Sequence, residues 1–424
     1  MVQQFQKIKS VNGTLDLSGD KSISHRALLI SSLADGKSEI INLSNSYDVK
    51  STINCLASLG IKVERTDEKT IVFGNGYRGY KQPDKPIYAG NSGTTARLLS
   101  GILAVQKFDS VLTGDHSLSA RPMKRVIEPL AEMGASVKSN NDDKLPIYIN
   151  AAENLKPINY RMRIASAQVK STILLAGLHL DDETTVIESF PTRNHTENML
   201  GLKVTNEGGK IISSVSKSNY PEANEYFVPG DISSAIFFVV LALLTKNSQL
   251  TIKDASLNPT RIESLNLLKR MGGNIELEER GVSHNEVYGD VFIRSGELQN
   301  VKIEEGIIPL LIDEIPALTI AGIFADGNFE LKSATELRVK ESDRIKAICI
   351  NLLKLGLDVE EYADGFNVSG EIKKTSETFN SFGDHRIAMA FAILSLLLEG
   401  GGSVEGFECG SVSNPDFLKQ LILM

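Results

Sequence analysis

One alternation of polar and apolar positions recurs six times along the chain: a polar loop, an apolar stretch of helical length, a short turn, and a β-rich strand. It occupies residues 21–43, 90–114, 166–189, 230–252, 313–331 and 383–406. The apolar stretches predict buried helices. A second pattern alternates with the first, an amphipathic helix stopped by glycine and followed by a strand. It reads LASLGIKVE (56–64), LAEMGASVK (130–138), MLGLKV (199–204, the least regular copy), LKRMGGNIE (268–276) and LLKLGLDVE (352–360). Glycine just past a helix end is a helix stop. These glycines, at 60, 134, 201, 272 and 356, recur about every 70 residues, a length that holds two helices and several strands.

Six such units fit the chain. None can bury both of its faces alone, so the units are expected to group around shared helices, as two α/β globules of three. The crossover points are placed at the Gly19-Asp20 turn and in the segment 226–231, which contains Pro229-Gly230. One globule is then residues 21–229; the other joins 1–20 to 230–424. The helix starts of both are expected to face a common cleft.

Composition removes several alternatives. A chain of 424 residues, 42% apolar and 23% charged, is globular and large enough for two or three cores. Cys55, Cys349 and Cys409 are far apart and without CxxC spacing, which argues for a reducing compartment and against a disulfide framework. The first residues, MVQQFQKIKS, carry no signal-peptide apolar core, and the runs 235–244 and 387–398 are too short to span a bilayer. The expectation is a soluble, cytoplasmic chain. A net charge of −8 argues against a nucleic-acid or membrane surface, so cations that bind an anion must act locally.

Those cations lie at the predicted helix starts. GNSGTTAR (90–97) combines glycines, capping residues and a following apolar run. A helix start with exposed N–H groups suits phosphate or carboxylate, although a polar turn capping an ordinary helix reads the same way. Lys21, Ser22 and Arg26 occupy the first start, and Asn91, Gly93, Thr94 and Arg97 the second. Ser166, Gln168 and Lys170 lie on the third, Asp231 and Ser233 on the fourth, Asp313 and Glu314 on the fifth, and Asp384, His385 and Arg386 on the sixth. Two further basic clusters are ARPMKR (120–125) and RVKESDR (338–344). Several arginines with capping loops imply small ligands carrying multiple negative charges.

Other motifs fail. Gly36-Lys37-Ser38 ends like a Walker A loop, but Ser31 stands where the glycine is required and a helix precedes it. No GxGxxG opens a helix, and the six histidines lack metal-ligand spacing, so no metal and no dinucleotide is expected. His385 reads equally as a base or an oriented structural imidazole. Asp313 and Glu341 read as general acid/base groups or as plain ion-pair partners of the arginines.

Taken together, GDKSISHRAL (19–28), GNSGTTARLL (90–99), SARPMKRVIEPL (119–130), ASAQVKSTILLAGL (165–178), TRNHTE (192–197), IDEIPAL (312–318), ELRVKESDR (336–344) and GDHRIAMA (383–390) resemble the 5-enolpyruvylshikimate-3-phosphate synthases of the enolpyruvyl transferase family. The resemblance covers essentially the whole chain. It implies an inside-out α/β barrel of three βαβαββ units in each of two globular domains, the N-terminal strand returning to the second, and an active site in the interdomain cleft. The implied reaction transfers the enolpyruvyl group of phosphoenolpyruvate to the 5-hydroxyl of shikimate 3-phosphate, releasing phosphate, on the route to chorismate and aromatic amino acids. No cofactor is implied. Neither is a nucleic-acid or membrane partner, and the chain is expected to be a monomer.

Carried over motif by motif, the resemblance gives Lys21, Ser22, Arg26, Ser166, Ala167 and Gln168 to shikimate 3-phosphate, with Arg193 beside them. Lys21 and Gln168 also reach phosphoenolpyruvate, which Gly93, Arg121, Arg344 and Arg386 hold. Asp313, with Lys340 alongside, takes the 5-hydroxyl proton; Glu341 protonates the methylene and later takes a proton back. Glyphosate is the implied inhibitor at the phosphoenolpyruvate subsite. One departure is the stretch Ser411-Val412-Ser413-Asn414-Pro415, which lacks the lysine some members carry there; with SAQVKS and RNHTE it points to a divergent bacterial subclass. The UDP-N-acetylglucosamine enolpyruvyl transferases resemble the chain less, since the loop 114–119 has no cysteine. A non-catalytic anion-binding repeat protein would not need Asp313 and Glu341 among the cations.

Overall fold

The computed structural model describes residues 1–139 and 142–424. The chain forms two compact units. A terminal unit comprises Met1–Leu17, Gly230–Gly281 and Val287–Met424; an inserted unit comprises Ser18–Pro229 and Val282–Glu286. The last segment lies within the stretch that sequence alone gave to the other globule, for reasons its side chains make plain. In the inserted unit Glu286 accepts from His195 Nδ1 at 2.9 Å, Asn198 and Asn285 exchange amide bonds at 3.2 and 3.0 Å, and His284 stacks on Tyr226 at 4.1 Å.

The inserted unit has three four-stranded sheets. Their strands, in spatial order, are Glu225–Phe227, Asp35–Ile41, Lys69–Asn75 and Lys62–Arg65; then Ile87–Tyr88, Ser110–Thr113, Ile147–Ile149 and Val137–Ser139; then Asn159–Arg161, Thr184–Glu188, Lys210–Val215 and Lys203–Glu207. In each sheet the first pair is parallel and the others antiparallel, the pairing a βαβαββ connection produces. The terminal unit is less regular. Asn12–Asp16 lies parallel to Gln249–Ser256 in a four-stranded sheet, while the other two sheets have three strands each. Val2–Phe5 pairs antiparallel with Gly402–Glu405, so strands from before the first repeat complete the fourth and sixth.

The six apolar stretches form helices: Lys21–Leu33, Gly93–Leu103, Ala167–Gly177, Ile232–Leu244, Ile315–Phe324 and His385–Leu397. Five have a polar N-cap whose side chain accepts a backbone N–H: Asp20, Ser92, Ser166, Asp231 and Asp384. The fifth helix instead carries Pro316 in its first turn and has no side-chain cap bond. Every residue from Ile232 to Leu243 and from His385 to Leu396 is buried, so these helices form the cores, with sheets outside them. Contact between two of them in the inserted unit depends on Gly101, where a Cβ would lie 2.3 Å from Thr172 O. The stop glycines 60, 134, 201, 272 and 356 all have φ between 59° and 97°, the left-handed geometry their position demands. Among the described residues no single helix is long and apolar enough to cross a membrane.

Candidate active site

Burying helices on all sides leaves their polar first turns as the places where chemistry can surface. In the inserted unit three such turns carry the expected residues. Lys21 Nζ donates to Asp48 Oδ2 at 2.8 Å, and Ser22 is partly exposed beside it. Arg26, one turn further in, is 3% exposed and tightly held. Its Nε donates to Thr196 Oγ1 at 2.7 Å, NH2 to Ser171 Oγ at 2.7 Å and NH1 to Ser22 O at 2.9 Å. Burial pulls its guanidinium down to about 10, with Glu197 opposing; Arg193 nearby adds to the depression.

At the second turn Arg121 NH2 donates to Asn91 Oδ1 at 2.7 Å and to Ser117 Oγ at 3.1 Å. Gly93 lies under two guanidiniums: a Cβ there would be 3.2 Å from Arg97 NH1 and 3.5 Å from Arg121 NH1. Arg97 NH1 donates to Gln168 Oε1 at 2.6 Å, and Gln168 Nε2 to Thr94 Oγ1 at 2.9 Å, which fixes that amide between the second and third turns. Ser166, Ala167 and Gln168 are all partly exposed.

Lys170 does not belong with them. Read as a helix-start cation, it is instead 1% exposed and lies 2.7 Å from both Glu188 and Glu197. Its helix turns it inward, where the two carboxylates hold it charged against the cost of burial.

In the terminal unit Arg344 organises the corresponding cluster. Only 1% exposed, it reaches three carboxylates: Nε donates to Asp384 Oδ2 at 2.8 Å, NH2 to Glu341 Oε2 at 2.7 Å and NH1 to Asp313 Oδ1 at 3.4 Å. Burial opposes its charge, but Asp384, Glu341 and Asp313 outweigh that and hold the guanidinium above the ordinary arginine range. The same Asp313 oxygen lies 3.8 Å from Lys340 Nζ and 4.0 Å from Arg386 Nε. Desolvation pulls the Lys340 ammonium below its usual value, with Asp313 opposing and Arg344 adding to the fall. Arg386 NH1 donates to Ser233 Oγ at 2.7 Å and to Asp313 O at 2.8 Å. Asp384 caps the His385–Leu397 helix by accepting from Arg386 N, so one carboxylate fixes both the helix start and Arg344.

The predicted residues therefore gather into one cluster on each unit. Asp313 and Glu341, which the sequence reads as acid/base groups or as ion-pair partners, are ion-paired, and each side chain remains 19% exposed. Of the residues joined to this cluster, the sequence does not single out Arg261. Arg261, buried and outside every helix start, donates to Asp231 at 3.1 Å and Glu314 at 3.2 Å. Its only sequence signal is its position in a loop two residues before the Glu263–Arg270 helix.

The model of the family described as EPSP synthase (3-phosphoshikimate 1-carboxyvinyltransferase) matches residues 5–421. The chain belongs to this family. It is 45% identical over 415 residues to the 3-phosphoshikimate 1-carboxyvinyltransferase of Petrotoga mobilis, covering 96% of each chain. The enzyme of the same name from Salinibacter ruber is 43% identical, with 99% of each covered. The solved EPSP synthase of Acinetobacter baumannii superposes with a TM-score of 0.86 at 38% identity, over 99% of this chain and 97% of that one. The inside-out α/β architecture is that of this family.

Proposed function

We propose that the chain is a 3-phosphoshikimate 1-carboxyvinyltransferase, which moves the enolpyruvyl group of phosphoenolpyruvate to the 5-hydroxyl of shikimate 3-phosphate and releases phosphate. The observation that carries this reading is the Arg344 guanidinium holding two partly exposed carboxylates, Asp313 and Glu341, which lie in the motifs IDEIPAL (312–318) and ELRVKESDR (336–344). Asp313, between Lys340 and Arg386, accepts the 5-hydroxyl proton as that oxygen attacks C2 of phosphoenolpyruvate. Glu341 gives a proton to C3, turning the methylene into a methyl group. The tetrahedral intermediate collapses when a methyl proton returns to Glu341 and the C2–O bond to phosphate breaks, which restores the enol double bond.

On the inserted unit Lys21, Ser22, Arg26, Ser166, Ala167 and Gln168 bind shikimate 3-phosphate, with Arg193 beside them, and Lys21 neutralises charge that develops on phosphoenolpyruvate. Gly93 and Arg121, with Arg344 and Arg386 of the terminal unit, bind phosphoenolpyruvate. Both substrates are polyanions; placing cations around each offsets their repulsion and fixes the reacting geometry. The chain works as a monomer in the cytoplasm. Phosphate release measured with each substrate alone and with both tests the proposal. Release that does not require shikimate 3-phosphate, or no release with both, refutes it.

A further inference from the structure

Behind the Asn91–Thr94 loop runs a chain of buried side chains to which the reaction above gives no role. His25, in the Lys21–Leu33 helix, has Nδ1 2.7 Å from Thr52 Oγ1, and Thr52 Oγ1 lies 2.7 Å from Thr95 Oγ1. The Thr95 hydroxyl donates to Ser92 Oγ at 2.7 Å, and the same Ser92 oxygen caps the Gly93–Leu103 helix by accepting Thr95 N–H at 3.2 Å. All four residues are at most 1% exposed.

Counting hydrogens fixes every direction in this chain. A hydroxyl carries one hydrogen. Thr95 uses its own toward Ser92, so the hydrogen between Thr52 and Thr95 belongs to Thr52. Thr52 then has none left for His25, so the proton between them sits on Nδ1. The imidazole is neutral: burial pushes it down to about 3, with Asp48 opposing. A neutral ring protonated on Nδ1 can only donate toward Thr52, and the direction cannot reverse without a second tautomer.

We propose that His25 and Thr52 are positioning residues for phosphoenolpyruvate. Their one-way hydrogen-bond chain locks the Ser92 cap, and with it the backbone N–H groups at the start of the Gly93–Leu103 helix, to the Lys21–Leu33 helix. The loop then meets its anion at a fixed spacing from Lys21 and Arg26. The proposal rests on the assignment of Gly93 and its loop to phosphoenolpyruvate made above. Buried hydroxyl networks of this kind rigidify what they join and are costly to leave half-satisfied.

Thr52→Val removes the hydroxyl at nearly constant volume, and Thr52→Ser keeps it. In steady-state kinetics Thr52→Val is expected to raise KM for phosphoenolpyruvate about tenfold, with KM for shikimate 3-phosphate and kcat changed by less than about twofold, and Thr52→Ser to restore the parent value. An unchanged KM for phosphoenolpyruvate overturns the positioning role, as does an equal rise in both variants. A rise confined to shikimate 3-phosphate instead overturns the assignment of the loop, and the proposal with it. Should Thr52→Val fail to fold, nitrogen NMR of the histidine-labelled parent chain decides: an Nδ1–H tautomer is expected for His25, and an Nε2–H tautomer overturns the proposal.

Discussion

Lys170→Met tests whether a buried cation holds the inserted unit together. Lys170 lies 2.7 Å from Glu188 and 2.7 Å from Glu197, and all three side chains are 1–2% exposed. At an effective dielectric of about 20, each pair gains about 6 kcal/mol of Coulomb attraction. Desolvating each ion costs several kcal/mol, so the intact triad is close to balanced. The variant keeps the desolvation of both carboxylates and loses the attraction, a net loss of about 3–5 kcal/mol. Against a typical total of about 5–15 kcal/mol, that is a large fraction.

The loss should depend on pH in a definite direction. Burial already raises Glu188 above the ordinary glutamate value, even with Lys170 opposing. A carboxyl raised on folding stabilises fully below its unfolded value, and this contribution fades as pH climbs through the folded value. Without Lys170 the folded value rises further. The deficit of Lys170→Met should thus be smallest near pH 5 and grow toward pH 8, in urea titrations followed by circular dichroism. Adding Glu188→Gln and Glu197→Gln removes both charges and should recover most of the loss. A deficit below about 1 kcal/mol, or one equal at both pH values, refutes the reasoning. Function should follow stability: Ser171 and Thr196, the chain neighbours of Lys170 and Glu197, are the hydroxyls that hold Arg26.

Three further outcomes are expected. Asp313→Asn and Glu341→Gln should each lower kcat about 10²-fold or more with little change in either KM, and wild-type turnover in initial-rate assays removes the assigned role. Gly93→Ala places a methyl group 3.2 Å from Arg97 NH1, so it should weaken competitive inhibition by glyphosate more than it raises KM for phosphoenolpyruvate; an equal effect on both sinks the steric argument. Arg386→Lys keeps the charge but has no second nitrogen to present to a ligand while the first holds Ser233 and the Asp313 carbonyl, and should raise KM for phosphoenolpyruvate about tenfold, an unchanged value counting against a ligand role.

What the sequence made legible was what local chemistry dictates. A polar cap followed by an unbroken apolar run can only be the start of a buried helix, and a glycine after an amphipathic run forces the left-handed stop seen at all five positions. The partners of a cation are a different matter. Lys170 sits four residues from its cap Ser166, as a ligand-binding residue would, but its carboxylates lie 18 and 27 residues further on, in a strand end and a short helix. Nothing local marks it as inward-facing. The segment Val282–Glu286 was invisible for the same reason: its bonds to Asn198 and His195 span about 90 residues, and it has no composition of its own.

A chain of net charge −8 can still bind polyanions, because its arginines differ in how many donors the protein itself consumes. Arg344 commits all three nitrogens to carboxylates, so its first effect is to hold Asp313 and Glu341 in place. Arg386 commits only NH1, to Ser233 and the Asp313 carbonyl, so within the described residues its Nε and NH2 hydrogens make no hydrogen bond. Arg26 commits one hydrogen from each nitrogen and, among the described residues, keeps one on NH1 and one on NH2. Two parallel N–H groups are the fork that carboxylate and phosphate accept. Under the proposed function, recognition depends on donors held in place by the fold: Arg386 and Arg26 have the most to offer a ligand, while Arg344, besides its place at phosphoenolpyruvate, holds Asp313 and Glu341. The surplus of acidic residues elsewhere in the chain does not oppose this, because beyond about 10 Å exposed charges are screened.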